Sequence, residues 1–269
     1  MKKTILITGS TDGIGKGAAL KLAKDGHRVY MHGRNADKLA NVVQAVQEES
    51  QNEEVHGFIA DFSDLSAVRK MAGQVQENVG ELDVLINNAG VYKSATQQNK
   101  DGLDMRIVVN YLASYVLTNE LIPLLQKSVE PRLINLSSGA QSPVSLEALQ
   151  GKERQSESQT YAQSKLALTM WSFHLAKKHP GIAVIAVNPG SLLNTKMVEE
   201  AFGNHWSPAD KGANILYDLA ASEEYQDISG KYFDNDKGAF GKAHQDAYEG
   251  DKIDRLVEVT DEIVSNIKL

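Results

Sequence analysis

Six short runs rich in apolar and β-branched residues, at 4–8, 28–32, 55–59, 84–87, 132–136 and 183–187, recur along the chain with helix-length amphipathic stretches between them. Strands this apolar have to be covered on both faces, and helices lying between them supply the cover. The expected fold class is therefore α/β: a single doubly wound Rossmann domain over residues 1–269, with a mostly or wholly parallel central sheet and helices on both faces. The chain has no Pro/Gly/Ser linker, internal repeat or low-complexity tract that would divide it. In such folds ligands bind beyond the carboxyl ends of the strands, so the residues after each run carry the chemical information.

Composition narrows the partners. With 28 basic and 35 acidic residues the net charge is −7, and no basic stripe interrupts it, so nucleic acid and anionic membranes are poor partners and a small molecule is expected. The absence of cysteine removes disulfides, thiolate catalysis and zinc–thiolate sites together. Seven histidines without ligand spacing point to no metal. Met1-Lys2-Lys3 begins like a secretory leader, yet the apolar run stops at Thr8-Gly9, short of the roughly 7–15 residues such a segment needs. Later apolar runs such as 182–187 fall far below the roughly 20 residues that span a bilayer, so a soluble, cytoplasmic protein is expected.

Gly9, Gly13 and Gly15 follow the first strand directly, with Ser10, Thr11 and Ile14 between them, and open an amphipathic helix over about 14–24. Glycine lets backbone approach a pyrophosphate closely, while the helix N-terminus offers N–H groups and a positive dipole. The spacing is G-x-x-x-G-x-G, neither the commoner G-x-G-x-x-G nor a P-loop. The second strand ends in His32-Gly33-Arg34-Asn35. An acid there would accept hydrogen bonds from a ribose 2′-OH, whereas Arg34 suits a 2′-phosphate, so NADP(H) is expected over NAD(H), with Asp12 a weak counter-signal. After the third strand come Asp61 and Phe62, and after the fourth Asn87, Asn88, Ala89 and Gly90, candidates for the adenosine side of the cleft. Aspartate and asparagine at strand ends also serve simply as turn or cap residues.

The fifth strand ends in Ser137-Ser138-Gly139, which places the Ser138 hydroxyl at the same sheet end. Asn135-Leu136-Ser137 is formally a glycosylation sequon, discounted because it lies inside an apolar strand. A helix over 161–178 follows, with Tyr161 and Lys165 one turn apart on one face. A phenol with a pKa of about 10 is a poor acid or base at neutral pH, and a neighbouring ammonium lowers that value. The spacing alone is weak: nine tyrosines and 21 lysines predict roughly 0.7 chance Tyr-x-x-x-Lys matches, and the chain has a second pair, Tyr248 and Lys252. That pair lies in an acidic C-terminal stretch with no strand or serine upstream and reads as a decoy.

Taken together, Thr8-Gly9-x-x-x-Gly13-x-Gly15, Asn87-Asn88-Ala89-Gly90, Asn110, Ser138 and Tyr161-x-x-x-Lys165 resemble the short-chain dehydrogenase/reductase family over about residues 3–235. About ten extra residues between Ser138 and Tyr161, Tyr161-Ala-Gln-Ser-Lys-Leu-Ala and Gly230-Lys-Tyr-Phe233 are similar to its retinol dehydrogenase and protochlorophyllide reductase branch. The resemblance implies hydride transfer between NADP(H) and a carbonyl or a primary or secondary alcohol. In it Tyr161 is general acid/base, Ser138 orients the substrate oxygen, Lys165 assists the tyrosine and contacts the nicotinamide ribose, and Asn110 completes a proton relay. Pro189, Gly190 and Thr195 resemble the segment that closes on the nicotinamide, though one extra residue precedes Thr195. It also implies a homodimer or homotetramer paired through helices that include the one bearing Tyr161. The competing reading is a dinucleotide-binding sensor or scaffold without meaningful turnover; a nucleotide-sugar epimerase is disfavoured by length. Loops 139–160 and 191–206 are the expected substrate-side segments, and 236–269 a C-terminal helical tail.

Overall fold

A computed structural model describes residues 1–203 and 207–267, so the end of the 191–206 loop and the last two residues of the tail lie outside the described residues. The elements run β1 (Thr4–Ile7), α1 (Gly13–Lys24), β2 (Arg28–Gly33), α2 (Ala36–Ser50), β3 (Val55–Ile59), α3 (Leu65–Asn78), β4 (Val84–Asn87), α4 (Met105–Ile107) and α5 (Ala113–Leu125). A π-helical stretch, Val108–Leu112, joins the last two. Then follow β5 (Arg132–Leu136), α6 (Leu146–Leu149), α7 (Glu157–Lys178), β6 (Ala183–Asn188), α8 (Lys196–Phe202), α9 (Ala209–Ala221), β7 (Lys231–Asp234), β8 (Ala239–Gly241) and α10 (Gly250–Asn266).

The eight strands form one sheet in the order β3-β2-β1-β4-β5-β6-β7-β8, parallel except for the β7–β8 pair. The alternation of side chains along each strand explains the two covered faces. Leu6, Leu85, Leu133 and Val184 join one buried cluster with α3, α5, α7 and α10. Their neighbours Ile5, Ile7, Ile86, Ile134 and Ile185 join another with α1, α2 and α9. Each such aliphatic side chain withdrawn from water contributes about 1.5–3 kcal/mol, so a one-residue slip of any strand would be severely destabilising. Strand order reverses between β1 and β4, which opens the crevice beyond their carboxyl ends.

Four differences from the sequence pattern have local causes. The tyrosine-bearing helix starts at Glu157 rather than 161, because Ser156 and Gln159 form a reciprocal capping box, and α6 adds a turn to the loop at 139–160. The tail over 236–269 is not helical throughout: it begins with β8 and a 3₁₀ turn, Gln245–Tyr248, before α10. The continuous helix Met105–Leu125 is long and apolar enough to cross a membrane by length and composition, but most of its residues are buried inside the fold. Finally, α10 packs on α7 and reaches the neighbouring helix, with Tyr111 Oη 2.9 Å from Thr260 Oγ1 and Tyr115 Oη donating to Asp261 at 2.6 Å. Helix α10 thus packs against α7, the helix through which the resemblance implies subunit pairing.

Candidate active site

The glycine turn is held from three sides. Gly9 has φ +62°, and a Cβ there would stand 2.7 Å from Ala89 Cα, so only glycine lets the turn and the end of β4 meet this closely. Gly15 is equally confined, its hypothetical Cβ 2.4 Å from Asn88 Nδ2. Asn88 Nδ2 donates to the Thr8 and Gly9 carbonyls at 2.8 and 2.9 Å, and Thr8 Oγ1 accepts from the Asn88 and Ala89 amides at 3.0 Å. Asn87 turns inward, its Nδ2 donating to Thr118 and Asn135. Ser10 is buried: its amide donates to the His32 carbonyl, its hydroxyl donates to the Ile7 carbonyl and accepts from the His32 amide. Its contribution is to shape the turn.

His32 was not singled out by the sequence, yet it ties three strand ends together. Its Nδ1 accepts from the Gly9 amide at 3.0 Å, which leaves Nε2 protonated to donate to the Ala60 carbonyl at 3.0 Å. The ring stacks on Phe62 with centroids 4.2 Å apart, so Phe62 supports the turn from beneath. Burial holds the imidazole neutral, pushing its pKa down to about 4. Asp61 is exposed and accepts the Ser63 amide as a turn residue, while Asn35 caps α2 by accepting the Lys38 amide. Arg34 stands exposed at the end of β2. Lys38, one turn further on, pairs with Asp12 at 2.8 Å, and that hydrogen bond lowers the Asp12 pKa. Asp12 itself caps α1 by accepting the Gly13 amide, which places Lys38 at the mouth of the turn.

On the other side of the crevice the pattern on α7 is realised. Tyr161 lies within hydrogen-bonding reach of the Ser138 side chain; burial raises its pKa, the Ser138 bond lowers it, and nearby Tyr92 raises it. Lys165 is buried, 4% exposed, and its Nζ donates to the Leu136 carbonyl at 2.7 Å while standing 5.8 Å from the Tyr161 ring centre. Burial draws its pKa down to about 8. The ammonium is not among the groups that shift the Tyr161 pKa, so the one-turn spacing supplies proximity while the protein alone leaves the phenol raised.

Asn110 sits in the π-helical stretch, where Ala113 N donates to the Val108 carbonyl five residues back. Its side chain accepts the Val91 amide at 2.7 Å and donates to Val91 O and Ser164 Oγ at 3.0 Å. A Cβ on Gly90 would lie 3.4 Å from Asn110 Oδ1, 3.5 Å from Lys165 Nζ and 3.7 Å from Met197 Cε, so these four residues converge. Gly190 (φ +122°) follows β6 and donates its amide to Asn188 Oδ1, Asp236 accepts from the amide and hydroxyl of the next residue, Ser191, and the Pro189 carbonyl accepts from Asn235. Thr195 caps α8, and its methyl is 3.5 Å from where a Cβ on Gly13 would be. The extra residue before it therefore does not carry it away from the glycine turn.

Two further residues escaped the sequence. Tyr92 packs its ring 5.0 Å from that of Tyr161. Arg106, fully buried, clamps this loop: it donates to Asp104, Gln97, Thr160, Glu157 and the Tyr92 carbonyl. An isolated arginine on an apolar helix gave no signal of that role. By contrast, Tyr248 is 54% exposed and Lys252 is paired with Asp246 and Glu249. Among the described residues no group of three or more His, Asp or Glu could hold a metal.

A family model for short chain dehydrogenases matches residues 3–205. Retinol dehydrogenase 13 of Homo sapiens is 31% identical over 251 residues, 86% of this chain and 76% of its own length. Among solved structures, an uncharacterized protein from Mycobacterium paratuberculosis has a TM-score of 0.79 at 26% identity, covering 98% of this chain and 93% of its own. A short chain dehydrogenase from Escherichia coli CFT073, complexed with NADPH, has a TM-score of 0.70 at 28% identity over 87% and 96%.

Proposed function

The chain belongs to the short-chain dehydrogenase/reductase family, on the branch that holds the retinol dehydrogenases, and from that premise we propose a reversible NADP(H)-dependent oxidoreductase whose acid/base is Tyr161. The observation that carries this reading is that Lys165 and Asn110 meet beside Gly90 while Tyr161, one turn from Lys165, interacts with Ser138, at the same sheet end as a glycine turn with no room for a Cβ at Gly9 or Gly15. That cradle fits a pyrophosphate: it combines close backbone with the N-terminus of a twelve-residue helix. Gly9, Thr11, Gly13, Ile14 and Gly15 would hold the phosphates, Asp61, Phe62, Asn88, Ala89 and Gly90 the adenosine side, and Pro189, Gly190 and Thr195 the nicotinamide end.

When bound, the nicotinamide supplies or accepts the hydride. Tyr161 gives its phenolic proton to the substrate oxygen in reduction and takes it back in oxidation. The raised phenol keeps that proton at neutral pH, which suits the acid role. Ser138 hydrogen-bonds the same oxygen and fixes its position. Lys165, already low in pKa through burial, passes a proton toward Tyr161, and Asn110 anchors the relay by holding Val91 and Ser164. Arg34 would take a 2′-phosphate in a bidentate grip, with Lys38 as a second cation freed from Asp12.

Deuterium tracing tests the proposal. NADPH carrying deuterium at C4 is incubated with the protein and a panel of aldehydes and ketones that includes retinal. Deuterium on the carbinol carbon of a product is the expected result; no transfer to any carbonyl, despite tight NADPH binding, would favour a sensor over an enzyme.

A further inference from the structure

Hydrogen bonds from distant parts of the chain gather on the two serines after β5. The Tyr232 hydroxyl, on β7, donates to the Ser138 carbonyl at 2.9 Å, and Gln141 Nε2 donates to the same oxygen at 3.0 Å. Gln141 Nε2 also reaches Ser137 Oγ at 3.2 Å, while its Oε1 accepts the His244 amide at 2.9 Å. Ser137 Oγ in turn meets Thr169 Oγ1 at 2.7 Å and donates to the Lys165 carbonyl at 3.1 Å, on the helix that bears Tyr161. The residues that follow this serine, Gly139 and Ala140, are exposed.

The Ala140 amide donates to Ser138 Oγ at 3.1 Å, so the hydroxyl oxygen is already an acceptor there. A hydroxyl has one proton and two acceptor lone pairs, and with the Ala140 N–H on one of these the proton and the second lone pair remain for Tyr161 and the substrate oxygen. Rotating the Ser138–Gly139 peptide would break both bonds to the Ser138 carbonyl. We propose that Gln141 and Tyr232 are positioning residues that hold the Ser138 hydroxyl in its place beside Tyr161 and couple it to the segment that carries β7 and His244. This rests on the reading of Ser138 as the group that holds the substrate oxygen.

A double-mutant cycle tests it. Tyr232→Phe and Gln141→Ala are each made in the wild-type and in the Ser138→Ala background, and kcat, KM for a reduced carbonyl and NADPH affinity are measured. Tyr232→Phe keeps a ring that is 4% exposed, so the core is preserved. Gln141→Glu is the second glutamine variant, keeping the acceptor for His244 and losing the donor. Each single change is expected to lower kcat by roughly 5–20-fold with KM and NADPH affinity within about twofold, and to have almost no further effect once Ser138 is alanine. Losses that multiply with that of Ser138→Ala, or an unchanged kcat in the single variants, would overturn the positioning role while leaving the proposed activity standing. If the wild-type protein transfers no hydride, both readings fall together.

Discussion

The chain contains two tyrosine–lysine pairs with identical spacing, and what surrounds them is opposite. Lys165 is buried with its ammonium on a carbonyl, so its proton is loosely held; Lys252 is surrounded by two carboxylates, which hold its proton more firmly. Tyr161 shares one helix with its lysine and faces Ser138. Tyr248 ends a 3₁₀ turn, accepts the Ala243 amide and packs on Phe173, while Lys252 belongs to α10. Spacing sets which residues can meet; desolvation and partners decide what they can do.

The sharpest way to break this comparison is to delete both ammonium groups in turn. Lys165→Ala is expected to lower kcat/KM about 10³-fold, whereas Lys252→Ala stays within about twofold. Equal losses would mean that the environments do not matter. Acid titration separates the regions next. His32 has its folded pKa lowered from 6.5 to about 4, so below pH 6.5 the unfolded chain binds the proton first. Stability present at pH 7 is therefore lost between about pH 6.5 and 4, by up to about 3 kcal/mol, and denaturant melts of His32→Gln should lack that slope. At the coenzyme end, Arg34→Asp should raise the KM for NADPH roughly 30–100-fold and turn the preference toward NADH, read as the ratio of kcat/KM values.

The smallest effect is the most specific. Lowering the Lys165 pKa from 10.5 to about 8 corresponds to about 3 kcal/mol of disfavoured burial of charge, fully present below pH 8 and relieved as pH rises toward 10.5. Lys165→Met removes that penalty but leaves the Leu136 carbonyl without its donor, a cost of about 1–2 kcal/mol. The net expectation at pH 7 is a protein about 1–2 kcal/mol more stable, by denaturant unfolding, and inactive. A less stable variant would show that the ammonium is favourably held in the resting site.

Much of this was legible in the chain because backbone demands leave residue-type traces. Gly9 and Gly15 were readable since no other residue fits against Ala89 and Asn88. The strand rhythm exposed β1 to β6; β7, which lies between β6 and β8, was not read as a strand, and β8 has three residues and partial burial, too little for a pattern. The α7 start was missed because Ser156 and Gln159 act as a cap inside a polar run that read as loop. His32, Arg106 and Tyr232 were not legible as site residues, because each acts through a partner distant in sequence, and Gln141 was not because it lies in an irregular loop whose anchor, His244, is distant. The phenol is the instructive case: one-turn spacing suggested a depressed pKa, while burial raises it.

The most direct measurement sets Tyr161→Phe beside Tyr248→Phe, each assayed for NADPH-dependent carbonyl reduction and, separately, for NADPH binding by fluorescence titration. Tyr161→Phe is expected to lose turnover by at least about 10³-fold with NADPH affinity within about twofold, and Tyr248→Phe to retain both. Sustained turnover by Tyr161→Phe would contradict the assignment of the proton transfer to that phenol.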